Sequence, residues 1–294
     1  MSRVIRVGSR ESELAQIQAE LVIQAIRKDN QGIECELVTM RTAGDRNQQA
    51  ALAAIGGKGL FVKELEQALI DEKIDIAVHS YKDMPYELNH DLPIVALSKR
   101  ASPFDALVLP EGQNEPDDSL PIGSSSARRS IQLKQLYAGI EVKPVRGNVG
   151  TRLAKLDLGE YSALVLAAAG LNRLGLGDRI SRLFTAEEMI PSGSQGIIAV
   201  QARADANCSY LSGFHSWESE IVSLAERQYL RSLGSSCTSP VAVYGQLDGE
   251  KITLLAMYVD SSGNIFKGRI SGDAADAQKI GDSMAEQLLR KAGQ

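Results

Sequence analysis

The sequence contains few cysteines and lacks the spacings that cysteines need for disulfide frameworks or zinc sites. The three present, Cys35, Cys208 and Cys237, are odd in number and form no CxxC pair. The three histidines lie far apart and make no ligand motif. We therefore expect no disulfide framework and no metal.

Long hydrophobic runs are also missing. The best stretch, residues 163–171, falls short of the roughly 18 apolar residues that a membrane span requires. The first residues contain no apolar signal core, which predicts a cytoplasmic protein with reduced thiols and no membrane partner. The net charge of −5 argues against a general nucleic-acid binder.

What the chain does have is the size and composition of a multidomain globular protein. Its 294 residues exceed the usual size of one domain, which favours two or three. The hydrophobic fraction of 44% and the charged fraction of 23% are ordinary for a globular protein. A core of normal size can therefore form without disulfide bonds.

The hydrophobic pattern of the first 100 residues alternates between strand and helix. Strands are predicted at 4–8, 34–39 and 74–78, and helices at 12–28 and 61–71. This order indicates βαβ architecture with a mainly parallel sheet.

A second α/β unit follows a crossing segment at 99–105, and a second crossing at 191–196 returns the chain to the first domain. From Ser216 the pattern becomes a long helix, three alternating segments and a final helix, which indicates a small α+β domain. The predicted domains are 1–98 with 191–214, then 99–190, then 215–294.

Polar clusters follow several predicted strands at the start of helices, at residues 8–10, 124–129 and 146–152. In open α/β sheets this edge forms the ligand crevice, and helix N-termini there favour anions. Five arginines share one 46-residue window, and arginine forks match carboxylates. Any single arginine could equally be a surface charge, but together they predict a polycarboxylate or phosphate ligand between two lobes. They are Arg128, Arg129, Arg146, Arg152 and Arg173.

Three further features are candidates for chemistry. Lys82 and Asp83 follow a buried strand, although an adjacent acid and base are often only a surface ion pair. Residues 56–59 lack the Walker pattern and are better interpreted as a flexible glycine loop carrying Lys58. Cys237 lies in a loop after a helix and is a candidate thiolate or covalent tether, whereas Cys35 is expected to be a small buried hydrophobe.

Several long segments resemble the hydroxymethylbilane synthase (porphobilinogen deaminase) family. They are 57–66 (GKGLFVKELE), 77–85 (AVHSYKDMP), 146–153 (RGNVGTRL) and 167–176, together with the Arg128–Arg129 pair. The resemblance covers nearly the whole chain. It implies an α/β fold of two periplasmic-binding-protein-like domains joined by two hinge crossings, plus a small α+β C-terminal domain.

The resemblance also implies a reaction. Four porphobilinogen molecules would be condensed, with loss of ammonia, onto a dipyrromethane cofactor linked by a thioether to Cys237. Hydrolysis would then release hydroxymethylbilane. Asp83 matches the catalytic carboxylate, and the protein is expected to be a monomer. The positions that match substrate- and cofactor-binding residues are Arg10, Ser12, Lys58, Phe61, Lys82, Ser126, Arg128, Arg129, Arg146, Arg152, Arg173 and Gln195.

The chain departs from the family at two loops. The cofactor loop usually reads GGCQxP but here reads SSCTSP, at residues 235–240, and a serine would strain it where a glycine has positive φ. The hinge commonly reads VGQG but here reads GSQG, at 193–196. Two alternatives to the synthase function remain open. One is a family member that cannot hold its cofactor because of the changed loop, and the other is a two-lobed protein that binds organic anions without catalysis.

Overall fold

A computed structural model describes residues 3–42, 62–234 and 240–293. Its strands are β1 (Arg3–Arg10), β2 (Ile33–Met40), β3 (Ile76–Ser80), β4 (Ile94–Leu97), β5 (Asp105–Val108), β6 (Ile122–Gly123), β7 (Val142–Lys143), β8 (Ala163–Ala167), β9 (Arg182–Leu183), β10 (Ile198–Ala202), β11 (Ala242–Asp248), β12 (Lys251–Val259) and β13 (Ile265–Asp273). Its helices are α1 (Glu13–Asp29), α2 (Lys63–Ile70), α3 (Ala127–Leu136), α4 (Val149–Asp157), α5 (Ala168–Arg173), α6 (Trp217–Ser232) and α7 (Ala277–Lys291).

The chain divides into two compact units. One contains Met1–Ala101 and Ile197–Glu220, and the other contains Ser102–Gly196 and Ile221–Gln294. The first two boundaries fall within or directly after the segments predicted as crossings.

The first unit is built on a five-stranded sheet of order β2-β1-β3-β10-β4. Helix α1 is amphipathic, and its buried residues Val22 and Ile26 pack with Ile5 and Val7 of β1. On another part of this unit, Leu65 and Leu69 of α2 share a core with Ala77 of β3. Both helices therefore bury an apolar face with the strands that carry candidate site residues at their ends.

The second unit contains a sheet of order β7-β6-β8-β5-β9 and a three-stranded antiparallel sheet of order β11-β12-β13. Strand β7 contains only two residues and ends before Pro144, which has no backbone N–H to donate to a neighbouring strand. The third sheet passes close to α7, since a Cβ on Gly268 of β13 would lie 3.0 Å from Leu288.

The prediction of a mainly parallel sheet is confirmed, because β2, β1, β3 and β4 run in one direction and β10 runs in the opposite one. In the first unit β1 pairs in parallel with β2 and β3, but β10 pairs antiparallel with β3 and β4. The second unit repeats this pattern, because β6 is parallel to β7 and β8 while β5 is antiparallel to β8 and β9. A strand that enters a sheet directly from a crossing segment needs no crossover helix and is free to run in the opposite direction.

Helix α6 starts at Trp217, the single tryptophan of the sequence. Its side chain is 72% exposed, and its ring meets the ring of His215 edge-on at 4.8 Å. None of the described helices is long and apolar enough to cross a bilayer.

The hinge segment 191–196 is fixed by a buried carboxylate. Glu226 of α6 accepts hydrogen bonds from the backbone N–H groups of Ser194 and Gly245, both at 2.6 Å. Ser194 has a φ of +61°, which favours glycine. Its buried hydroxyl has no hydrogen-bond partner within the described residues. Ser194, at a position where the family that the sequence resembles commonly has glycine, is therefore held in a strained conformation.

We expect Ser194→Gly to raise the free energy of unfolding by about 1 kcal/mol, because it removes left-handed strain and an unpartnered buried hydroxyl. Glycine's added freedom in the unfolded chain offsets part of this gain. Urea denaturation followed by circular dichroism measures the difference. Ser192→Gly is the matched control in the same segment, and Ser192 has no positive φ, so it should give no gain. A Ser194→Gly variant no more stable than the parent would contradict the prediction.

Candidate functional site

The first group of site residues lies where β1 and β3 end. These strands are neighbours and parallel, so their carboxyl ends share one edge of the sheet. Arg10 is the last residue of β1, and Asp83 ends a short 3₁₀ turn directly after β3. Both side chains line one cavity of about 30 Å³, and Asp83 is exposed. The structure thus brings together two of the residues predicted from sequence.

Other predicted residues of this unit lie nearby along the chain. Lys82 is half-buried in the same 3₁₀ turn. Ser12 precedes α1, but its side chain makes no capping hydrogen bond to the helix, so capping does not occupy its hydroxyl. Lys58 and Phe61 lie outside the described residues.

His79 also lines this cavity, although its sequence context gave no functional signal. The residue is 7% exposed, and burial lowers the pKa of its imidazole to about 4, an effect to which the Arg10 charge adds. His79 is therefore neutral near pH 7. Its position on β3 explains the burial, but only the structure reveals the adjacent cavity.

In the second unit, Asp105 binds both arginines of the Arg128–Arg129 pair. Its carboxylate lies 2.7 Å from a guanidinium nitrogen of each. Gln195 donates a further hydrogen bond to Asp105 from Nε2 at 3.0 Å. All four side chains are buried. Burial alone would raise the pKa of Asp105, but the two guanidinium groups outweigh it and hold that pKa well below its usual range.

Both arginines of this pair also donate hydrogen bonds to backbone oxygens. Arg128 donates to the backbone oxygen of Ile190, and Arg129 donates to that of Val165. Ser126, the N-cap of α3, accepts a hydrogen bond from the Arg129 backbone N–H at 3.4 Å. Sequence analysis missed Asp105, because a lone aspartate at the end of a crossing carries no motif.

The other three arginines of the predicted set form no ion pair with a carboxylate in the described segments. They are Arg146, Arg152 and Arg173. Arg152 donates from Nε to the Gly147 oxygen at 2.8 Å, and Arg173 donates to the Gly196 oxygen at 2.7 Å. Burial lowers the pKa of both, and the Arg129 and Arg146 charges lower that of Arg152 further. A bound carboxylate would relieve this repulsion.

Local structure explains how two of these arginines are placed. Helix α4 is capped by Asn148, whose Oδ1 accepts from the Thr151 backbone N–H at 2.8 Å. The cap sets Arg146 just before the helix and Arg152 in its first turns. This position combines two guanidinium groups with the positive end of a helix dipole, which suits an anionic ligand.

Two of the three cysteines lie within the described residues. Cys237 lies outside the described residues. Cys35 and Cys208 are half-buried and form no disulfide within the described residues, and burial raises the pKa of Cys35. In the described segments no three metal-ligating side chains cluster.

Comparison with known proteins gives matches over nearly the whole chain. Residues 5–209 match the family profile "Porphobilinogen deaminase, dipyromethane cofactor binding domain", and residues 221–290 match "Porphobilinogen deaminase, C-terminal domain". A porphobilinogen deaminase of Acetivibrio thermocellus is 54% identical over 98% of this chain and 99% of its own length. Those of Alkaliphilus oremlandii and a Nostoc species are 54% and 43% identical, covering 97% and 99% of this chain and 96% and 92% of theirs.

Proposed function

The chain belongs to the porphobilinogen deaminase family, and from that membership we propose which of its residues carry out the reaction. The protein is a transferase that condenses four porphobilinogen molecules, with loss of ammonia, onto a covalently bound dipyrromethane. It then releases hydroxymethylbilane by hydrolysis, a step of tetrapyrrole biosynthesis.

The arginine side chains of the second unit fit the dipyrromethane group, because its acetate and propionate arms are carboxylates and arginines bind carboxylates. The observation that carries this assignment is the set of three arginines without carboxylate partners in the described segments. We propose that Arg146, Arg152 and Arg173 bind these arms and those of the incoming units. When bound, the dipyrromethane supplies the pyrrole carbon to which the first substrate unit is joined.

We propose a different role for the buried cluster around Asp105. Arg128, Arg129 and Gln195 donate hydrogen bonds to Asp105 or to backbone oxygens, and Arg128 also pairs with Asp105. They would then act on ligand binding mainly by positioning α3 and the hinge segment. The excess positive charge of two arginines over one aspartate still favours an anion nearby.

In the first unit we propose Asp83 as the catalytic carboxylate. Loss of ammonia from porphobilinogen leaves positive charge on the pyrrole nitrogen, which a carboxylate stabilises while it assists proton transfer. The exposure of Asp83, beside a small cavity that Arg10 also lines, supports this role. We propose that the remaining polar residues handle the carboxylates or the chain. They are Arg10, Ser12, Lys82 and Ser126, with Lys58 and Phe61 in the glycine loop.

We also propose three domains, 1–98 with 191–214, 99–190 and 215–294. The three separate sheets support this division. We propose further that the enzyme works as a cytoplasmic monomer without nucleic-acid or membrane partners. The odd number of cysteines without CxxC spacing supports the reducing compartment, and the net charge of −5 supports the absence of a nucleic-acid partner.

The proposed tether predicts a mass difference. Purified protein should be heavier than its sequence by two linked pyrrole units, and the excess should vanish in Cys237→Ser and Cys237→Ala. A serine hydroxyl is a poor nucleophile at neutral pH and should not replace the thiolate. Intact mass spectrometry followed by peptide mapping measures this.

Cys208→Ser is the matched control, and it should keep the adduct. An adduct mapped to Cys35 or Cys208 would refute the assignment. Unmodified protein without activity would instead identify a family member that cannot hold its cofactor.

A further inference from the structure

The hinge segment is buried although it has no regular secondary structure. Residues 184–197, all of them described, form no helix or strand, and Ile190 and Ser194 are at most 1% exposed. Buried backbone N–H and C=O groups need hydrogen-bond partners, and in such a segment side chains must supply them. Glu226 does so at Ser194. A second side chain does so at Ile190, the residue that precedes the segment.

That second side chain is Gln132 of α3, which is fully buried. Its Oε1 accepts a hydrogen bond from the Ile190 N–H at 2.8 Å, and its Nε2 donates to the Ile190 oxygen at 3.1 Å. One amide group therefore pairs with both backbone groups of one residue, as a neighbouring strand would. Nε2 also donates to the Arg128 oxygen at 3.2 Å, which holds the Gln132 side chain against its own helix.

Arg128 contacts Ile190 from the same helix. Its Nη1 donates to the Ile190 oxygen at 2.7 Å and lies 2.7 Å from Oδ2 of Asp105. Arg128 and Gln132 are four residues apart, so they lie on one face of α3. Ile190 is thus held by two side chains of α3, and its position is coupled to that of the Arg128 guanidinium.

The other end of the hinge segment contacts the remaining parts of the proposed anion site. Gln195 donates to Asp105 at 3.0 Å, and the Gly196 oxygen accepts from Arg173 at 2.7 Å. The backbone from Ile190 to Gly196 therefore links α3, the Asp105 carboxylate and one arginine that has no carboxylate partner in the described segments. The placement of this backbone sets where these positive charges lie.

We propose that Gln132 is a positioning residue for substrate binding. It holds Ile190 against α3, and through the hinge segment it keeps the guanidinium groups of Arg128 and Arg173 placed for the carboxylates of porphobilinogen and of the growing chain. Gln132 is fully buried, so it acts through these residues and not on the substrate itself. This inference rests on the proposed assignment of the carboxylates to the arginines of the second unit.

Steady-state kinetics of the holoenzyme carrying Gln132→Met test the proposal. Methionine has nearly the same length and volume but no amide to pair with Ile190. The KM for porphobilinogen should rise about tenfold, the value of roughly one lost hydrogen bond. Contacts to carboxylates that do not react are equal in the ground state and the transition state, so kcat should change by less than about twofold. Intact mass should show full cofactor loading.

Tyr229→Phe is the matched control for stability. It also removes a buried hydrogen bond from a side chain to a backbone oxygen of the second unit, that of Met257 at 2.9 Å. It should lower the free energy of unfolding as Gln132→Met does. It should leave KM at the parent's value, because this hydrogen bond joins α6 to β12 and involves neither the hinge segment nor α3. A merely structural role of Gln132 would give both variants the same KM.

A second variant keeps the test decisive. Gln132→Asn keeps the amide but is one methylene shorter, so it cannot reach both backbone groups of Ile190. It carries the comparison if Gln132→Met does not fold, and its KM should lie at least about threefold above that of the parent.

A KM equal to that of the parent in the Gln132 variant would overturn the proposal. Equal rises of KM in Gln132→Met and Tyr229→Phe would also overturn it, as would a loss of kcat without a change in KM. Arg152→Leu tests the underlying assignment separately. If Arg152→Leu leaves KM unchanged, the carboxylate assignment fails, and if it raises KM while Gln132→Met does not, only the positioning role of Gln132 fails.

Discussion

Asp105→Asn lowers the free energy of unfolding by about 3–5 kcal/mol, the usual cost of breaking a buried ion pair from one side. Asp105 is fully buried and lies 2.7 Å from guanidinium nitrogens of both Arg128 and Arg129. An asparagine has nearly the same shape, so the loss reports two buried cations left without a counter-charge. Urea denaturation followed by circular dichroism measures it.

Asp157→Asn is the matched control, because it also breaks an aspartate–arginine pair, with Arg179 at 2.6 Å. The Asp157 carboxylate is 47% exposed, so this substitution should lower the free energy of unfolding by no more than about 1 kcal/mol. Adding Arg128→Met to Asp105→Asn should recover part of the loss. Equal stability of Asp105→Asn and the parent would contradict the prediction.

At acid pH the free energies of unfolding of the parent and of Asp105→Asn should become more similar. The pKa of Asp105 is depressed in the folded protein, so its contribution is complete above the unfolded pKa and is lost as pH falls through the folded one. The unfolded value is about 3.9, so the narrowing begins below about pH 4. Denaturation curves repeated at decreasing pH test this sign.

Asp83→Asn lowers turnover by about 10²–10⁴-fold while the protein still folds and still carries its cofactor. The amide cannot balance positive charge on the pyrrole nitrogen or accept a proton. Steady-state assays with porphobilinogen, on protein whose intact mass confirms loading, measure the effect.

Asp91→Asn is the control for this change, because Asp91 is an exposed carboxylate of the same unit that does not line the cavity. It should keep the parent's turnover. An Asp83→Asn variant with turnover near that of the parent would exclude Asp83 as the essential group.

Sequence patterns were most informative where one helix or strand buries a regular apolar face. Helix α1 was predicted at 12–28 and is found at Glu13–Asp29. Strands β4 and β9 were not predicted, because four and two residues are too few to show a period. The orientation of β10 was missed for another reason: a crossing segment fixes where a strand returns but not its direction.

The candidate site, like the fold, could be predicted only in part from the sequence. Polar residues after predicted strands made Asp83 and the arginines candidates, because a loop position at a sheet edge is visible in the sequence pattern. Which arginines have a carboxylate partner was not visible, since Asp105 is separated from Arg128 by more than 20 residues and meets it only through packing. His79 was missed because burial and a neighbouring cavity are properties of the folded chain.

The single tryptophan gives the protein an unusual optical property. Trp217 is mostly exposed at the start of α6 and contacts only one ring, that of His215, within the described residues. Intrinsic indole emission therefore comes from one solvated site, and the folded protein should already emit at the long wavelength of an exposed indole. Melting of the cores should shift that wavelength little, so fluorescence would report the junction around residue 217 and would understate global unfolding.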